Sequence, residues 1–223
     1  MQPRARILLL PLLAVCGLIY AADQEHNFTK WEKEIANYEQ ADKTNPPPKG
    51  GIVFIGSSTI RRWTTLASDF PGQPVINRGF GGSEIVDSTH FADRIIFPYE
   101  PKMVFLRAGG NDLWAGKSPE QVFADFKDFV AKVQSRLPKA EIVFMSLSPS
   151  IARWKQADKE KAMNQMVAAF IKDKQGLKYI ETYSFPLGPD GQPQPELFVQ
   201  DKLHFSPAGY RLLAEKVRPF MPK

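Results

Sequence analysis

The chain has three histidines, His26, His90 and His204, and they narrow where proton transfer near neutral pH can be centred. His26 falls in the leading helical segment and reads as a solvated surface residue. His90 falls within a second helical segment, where a surface or hydrogen-bonded structural role is expected. His204 stands three residues after Asp201 and just before a helix start at Ser206-Pro207. On a turn, that spacing can bring a carboxylate against one imidazole nitrogen and leave the other facing outward. A base held in this way can take the proton of a hydroxyl that is otherwise a weak nucleophile. Ser58, which follows the run Ile52-Val53-Phe54-Ile55-Gly56-Ser57, is the candidate hydroxyl. Each signal also has an ordinary reading: Asp-x-x-His arises by chance, and serines are common helix N-caps.

The elements that must position these groups are legible as hydrophobic runs. Ile52–Ile55, Pro74–Asn77, Met103–Leu106 and Ile142–Met145 are short apolar segments of the kind found in buried parallel strands, and Lys178–Ile180 is a weaker fifth. Phe28, Trp31, Ile35 and Tyr38 recur at helical spacing and predict a helix over about 25–43, ended by the proline-rich stretch 45–51. Further helices are expected over 83–96, from Ser118-Pro119 to Pro138, over 155–174 and from Ser206-Pro207 onward. The Ser118-Pro119 helix has an N-cap serine and Gln121 three residues later. Strands alternating with helices imply a parallel α/β sheet covered on both faces, with ligands beyond the carboxyl ends of the strands. Those ends are followed by Gly56-Ser57-Ser58, by Gly79-Phe80-Gly81-Gly82 and by Gly109-Gly110-Asn111-Asp112.

Composition bounds the rest. A chain of 223 residues with 43% hydrophobic and 24% charged residues suits one soluble α/β domain. Arg4 and Arg6, the apolar run Ile7–Tyr20 and Ala21-Ala22 form the layout of a secretory signal peptide over 1–22. The run is shorter than the roughly 20 residues that span a bilayer, so a retained anchor is the lesser alternative and stable membrane insertion is not expected. Lipidation at Cys16 is another, although bulky Val15 precedes it. The mature chain then divides into a helix and proline-rich connector, 23–49, and a domain over 50–223. Cys16 is the one cysteine, so a mature chain has no disulfide, thiolate site or cysteine nucleophile. Removing Arg4 and Arg6 takes 29 basic residues to 27 against 24 acidic, a net of +3, scattered rather than clustered, and nothing points to nucleic acid.

Three familiar motifs are near misses. Gly56-Ser57-Ser58-Thr59-Ile60 lacks the second glycine of a nucleophile elbow, Glu84 stands where a dinucleotide fingerprint needs glycine, and Gly110 is one residue too far from Gly116-Lys117-Ser118 for a phosphate loop. By contrast Gly56-Ser57-Ser58, Gly79, Gly109-Gly110-Asn111-Asp112 and Asp201-Lys202-Leu203-His204 resemble, in order and spacing, the four blocks of the SGNH hydrolase superfamily, the GDSL-type esterases. Asn77-Arg78-Gly79-Phe80-Gly81-Gly82-Ser83 and Ser148-Pro149-Ser150 through Arg153-Trp154 resemble a bacterial branch of it.

The resemblance implies a flavodoxin-like three-layer α/β/α sandwich with a five-stranded parallel sheet in the order 2-1-3-4-5. It implies an esterase with Ser58 as nucleophile, His204 as base and Asp201 orienting that base. The Ser58 and Gly79 N–H groups and the Asn111 amide would form the oxyanion hole. No metal or organic cofactor is implied. Ser57 replaces the commoner aspartate, Lys202 stands where glycine is frequent and Gly110 where a polar residue is frequent. The expected substrate is a small-molecule or carbohydrate ester with a short acyl group. Arg153 and Trp154 are candidate substrate contacts, with a surface salt bridge the alternative for Arg153. Trp63, Trp114 and Trp154 either face sugar or fill the core. A non-catalytic carbohydrate- or envelope-binding module on the same fold is the competing reading.

Overall fold

The structure, a computed structural model, describes residues 26–222. The expected signal segment over 1–22, Cys16 included, lies outside the described residues. A 3-10 turn at Phe28–Trp31, capped by Asn27 Oδ1, leads into α1 (Glu32–Thr44). Then follow β1 (Ile52–Gly56), α2 (Ser58–Arg61), α3 (Leu66–Asp69), β2 (Val75–Gly79), α4 (Ile85–His90), α5 (Ala92–Ile95) and β3 (Met103–Arg107). The chain continues through α6 (Gly110–Trp114), α7 (Pro119–Arg136), β4 (Glu141–Met145), α8 (Ala157–Ile171), β5 (Leu177–Ile180) and α9 (Pro207–Val217). No described helix is long and apolar enough to cross a membrane.

The five strands form one parallel sheet in the order β2-β1-β3-β4-β5, as expected. Successive strand residues point to opposite faces, and the two cores follow that alternation. Val53, Ile55, Val104, Leu106, Ile142 and Phe144 pack beneath α1, α4, α5, α7 and α8. Ile52, Phe54, Phe105, Val143 and Met145 pack beneath α2, α3 and α9. Trp63 belongs to this second core, with 1% of its surface exposed. β1 and its two neighbours end in register, Gly56 opposite both Gly79 and Arg107, so the three loops beyond them emerge along one edge.

Local chemistry sets the helix boundaries. α7 begins at a reciprocal cap: Ser118 Oγ accepts the Gln121 N–H at 3.3 Å and Gln121 Oε1 accepts the Ser118 N–H at 2.8 Å. α9 starts with Ser206 Oγ accepting the Gly209 N–H and Pro207 in its first turn. The helix expected over 83–96 is two short helices, α4 and α5, broken at Phe91, where ψ is 3°. Ser88-Thr89-His90 are weak helix formers, and the break coincides with burial of Phe91 edge-on against Phe80. α1 is bound into the domain. Trp31 and Ile35 enter the first core, and Arg78 bonds Asp42 Oδ1 at 2.5 Å.

Candidate active site

The first and last loops of the domain meet at the edge where the strands end. Ser58 opens α2, and the preceding Ser57 N–H donates to Arg107 O at 3.1 Å, pinning the turn to β3. His204 lies in a turn closed by the Lys202 N–H donating to Val199 O and the Val199 N–H donating to His204 O, each at 2.9 Å. Lys202 takes φ +57° there, which accounts for glycine being frequent at that place. Ser58 Oγ is 3.0 Å from His204 Nε2, and His204 Nδ1 is 2.7 Å from Asp201 Oδ2. Asp201 Oδ1 accepts the backbone N–H groups of Leu203 and His204, each at 2.9 Å. Partial desolvation opposes ionisation of Asp201, but the bonds from the His204 backbone, the His204 ring and the Leu203 backbone outweigh it. They hold the carboxyl well below the usual carboxylate range. An ionised carboxylate only accepts, so the ring proton sits on Nδ1 and Nε2 is left to accept from the Ser58 hydroxyl.

Asn111 is the second residue of α6. Its Nδ2 donates to Ser83 O at 2.9 Å, and its Oδ1 accepts from Arg153 Nη1 at 2.9 Å. The amide orientation is therefore fixed by Arg153, and Nδ2 retains a second proton. Among the described residues Arg153 has no salt-bridge partner. It lines the cleft and lies over Trp114, 5.0 Å from the ring centroid. Trp114 is 59% and Trp154 37% exposed, so both take the outward reading, and neither lines the cleft.

Gly79 departs from expectation. It is buried and does not line the cleft, and its N–H donates to Asn77 Oδ1 at 3.0 Å. A Cβ there would stand 2.2 Å from Arg61 N and 2.7 Å from Ile60. Glycine at 79 lets α2 press against β2, and its N–H is already committed. Gly81 and Gly82 line the cleft instead, and Gly82 is exposed with φ +80°. Among the described residues neither the Gly82 N–H nor the Ser58 N–H has a protein acceptor.

The cleft has a volume of about 340 Å³ and brings together Ser58, Gly82, Asn111, Arg153 and His204. A sequence model of the GDSL-like Lipase/Acylhydrolase family matches residues 54–212, a span that includes both loops of this site. The chain belongs to this family. Solved structures agree in fold. A protein from Streptococcus pneumonia named for platelet activating factor superposes with a TM-score of 0.76 at 19% identity, over 86% of this chain and 94% of that one. A GDSL-like lipase from Bacteroides thetaiotaomicron gives 0.64 at 17%, over 87% and 96%. A variant of an acetylxylan esterase from Geobacillus stearothermophilus gives 0.62 at 16%, over 79% and 96%. No curated protein matches the chain by sequence.

Several groups, at the cleft and away from it, were not legible in the sequence, with Glu160 the exception. His26 is not a free surface residue: its Nε2 is 2.7 Å from buried Asp87 Oδ1. Arg107 lines the cleft while buried, bonded to Ser146 O, to Thr182 Oγ1 at 3.0 Å and to Ser148 Oγ at 2.6 Å. Glu160 and Gln156 line it from the start of α8. Glu160 was detectable, because it falls on the apolar stripe carrying Met163 and Val167, where a carboxylate is out of place. Asp112 is also buried, its Oδ1 accepting the Ile85 N–H at 3.1 Å. It ties the start of α6 to α4, beside the Asn111–Ser83 bond.

Proposed function

We propose that the protein is a serine hydrolase of carboxylic esters with short acyl groups, acting through Ser58, His204 and Asp201. The carrying observation is the unbroken chain of contacts from Ser58 Oγ to His204 Nε2 at 3.0 Å and from His204 Nδ1 to Asp201 Oδ2 at 2.7 Å. Ser58 Oγ attacks the ester carbonyl as His204 Nε2 takes its proton. The tetrahedral oxyanion is met by the Ser58 N–H, the free Asn111 Nδ2 proton and the Gly82 N–H, the last in place of Gly79. His204 passes the proton to the leaving alcohol. A water then repeats the sequence on the acyl-enzyme, releasing the acid and restoring the hydroxyl. Asp201 stays ionised throughout and stabilises the imidazolium.

A small cleft walled by Ser57, Arg107, Arg153 and Glu160 favours a short polar ester over a long acyl chain, and the fold is shared with an acetylxylan esterase. The reading includes export after removal of residues 1–22, on the strength of the basic, apolar and small-residue order of that segment. The purified protein is expected to release p-nitrophenol from p-nitrophenyl acetate, and Ser58→Ala to abolish release while the melting temperature is kept. A folded Ser58→Ala protein with full activity would overturn the mechanism.

A further inference from the structure

One wall of the cleft holds polar atoms that the mechanism does not use. Glu160 is 4% and Gln156 6% exposed. Gln156 Nε2 donates to Glu160 Oε1 at 2.8 Å and to Gly110 O at 3.3 Å. Glu160 Oε2 and Gln156 Oε1 have no hydrogen-bond partner among the described residues, although both side chains line the cleft beside Asn111. Leaving a buried polar oxygen unmatched costs about 1–3 kcal/mol. Two on one wall of a candidate active site therefore point to a ligand that completes them.

The chemistry of that ligand follows from the neighbours. Arg61, Arg62, Arg107 and Arg153 line the same cleft, so a cationic group is repelled. The arginines are not waiting for an anion. Arg107 is bonded to Ser146 O, Thr182 Oγ1 and Ser148 Oγ, Arg153 to Asn111 Oδ1, Arg61 to Glu34 at 2.7 Å, and Arg62 lies 3.7 Å from Asp201 Oδ2. An anion would also set its oxygens against two more oxygens. A neutral hydroxyl fits. Burial pushes the Glu160 carboxyl up to about 7, against the Gln156 bond and the charges of Arg107 and Arg153. A hydroxyl donates to the carboxylate form and can accept from the acid form, so it suits either state. Contact calls for a side-chain rotation, a common accompaniment of binding.

We propose that Glu160 Oε2 and Gln156 Oε1 form a hydroxyl-binding subsite beside Asn111, through which the enzyme selects esters carrying hydroxyl groups on the acyl or the alcohol part. The proposal rests on the serine-hydrolase reading above. Two matched pairs of substrates test it, followed by pH-stat titration of the purified protein. Glyceryl monoacetate against propyl acetate places hydroxyls on the alcohol side, and ethyl lactate against ethyl propanoate places one on the acyl side. The wild type is expected to favour the hydroxylated member of at least one pair by roughly tenfold or more in kcat/KM. Glu160→Gln and Gln156→Met are each expected to collapse that ratio toward one, mainly through KM. A purely structural role would lower both members of a pair together and leave the ratio standing, which overturns the proposal. So does a wild type with no preference in either pair. Should Glu160→Gln fail to fold, the wild-type ratios and Gln156→Met decide. Absence of turnover on all four esters would instead defeat the hydrolase reading, and the subsite with it.

Discussion

A serine hydroxyl at neutral pH is a poor nucleophile, and in the proposed mechanism the order of the bonds around His204 is what activates it. Asp201, ionised far into the acid range, fixes the Nδ1 proton, and Nε2 is left facing Ser58 Oγ. On the proposed mechanism Asn111→Ala removes one oxyanion donor and should cost roughly 100–1,000-fold in kcat, about 3–4 kcal/mol, with thermal stability as the control. Lys202 holds a left-handed conformation that costs an L-residue about 1–2 kcal/mol. Urea melts should show Lys202→Gly within about 1 kcal/mol of the parent, because relief of strain offsets the greater freedom of unfolded glycine. Lys202→Val should be less stable than the parent.

The loop after β2 depends on a helix that precedes the family match. Trp31 Nε1 in the 3-10 turn donates to Gly81 O at 2.9 Å and Tyr38 Oη on α1 donates to Gly79 O, so this N-terminal segment grips the end of β2 and the loop that presents Gly82. Trp31→Phe keeps the aromatic packing and removes one bond. It is expected to cost about 1 kcal/mol in denaturant melts and to lower kcat more than it raises KM. The strands and the long helices were legible because apolar periodicity and the caps at Ser118 and Ser206 are local signals. The convergence of Ser58, His204 and Asn111 on one cleft was legible because they sit at strand ends or on a tight Asp-x-x-His turn. The placement of Gly79 away from the cleft was not legible, for a non-local reason. Which glycine of a glycine-rich loop has a free N–H depends on Asn77 folding back two residues, and on Arg61 occupying the space of a Cβ. The break at Phe91 and the short helices α2, α3 and α6 likewise arise from packing rather than periodicity.

Across the whole molecule, buried carboxyls set a pH dependence of stability. Burial pushes Asp112 and Glu160 each up to about 7, with Lys117 countering it at Asp112 and Gln156, Arg107 and Arg153 at Glu160. Unfolded, these groups return to about 4. Between the two values the native state binds more protons, so their contribution to stability falls as pH rises through that window. Asp201 has the opposite sign: its contribution is in place above the unfolded value and is lost as pH falls below it. The melting temperature should accordingly be higher near pH 5 than near pH 8, and Glu160→Gln should narrow the difference. A gap that widens in that variant would contradict the assignment.

Activation of Ser58 by His204 can be read with a fluorophosphonate label mapped by mass spectrometry, since the reagent reacts with a serine only where a neighbouring base activates it. One modified residue is expected, Ser58, with labelling lost in a folded His204→Ala protein. Labelling at a different serine, or at Ser58 with undiminished rate when His204 is absent, would contradict it.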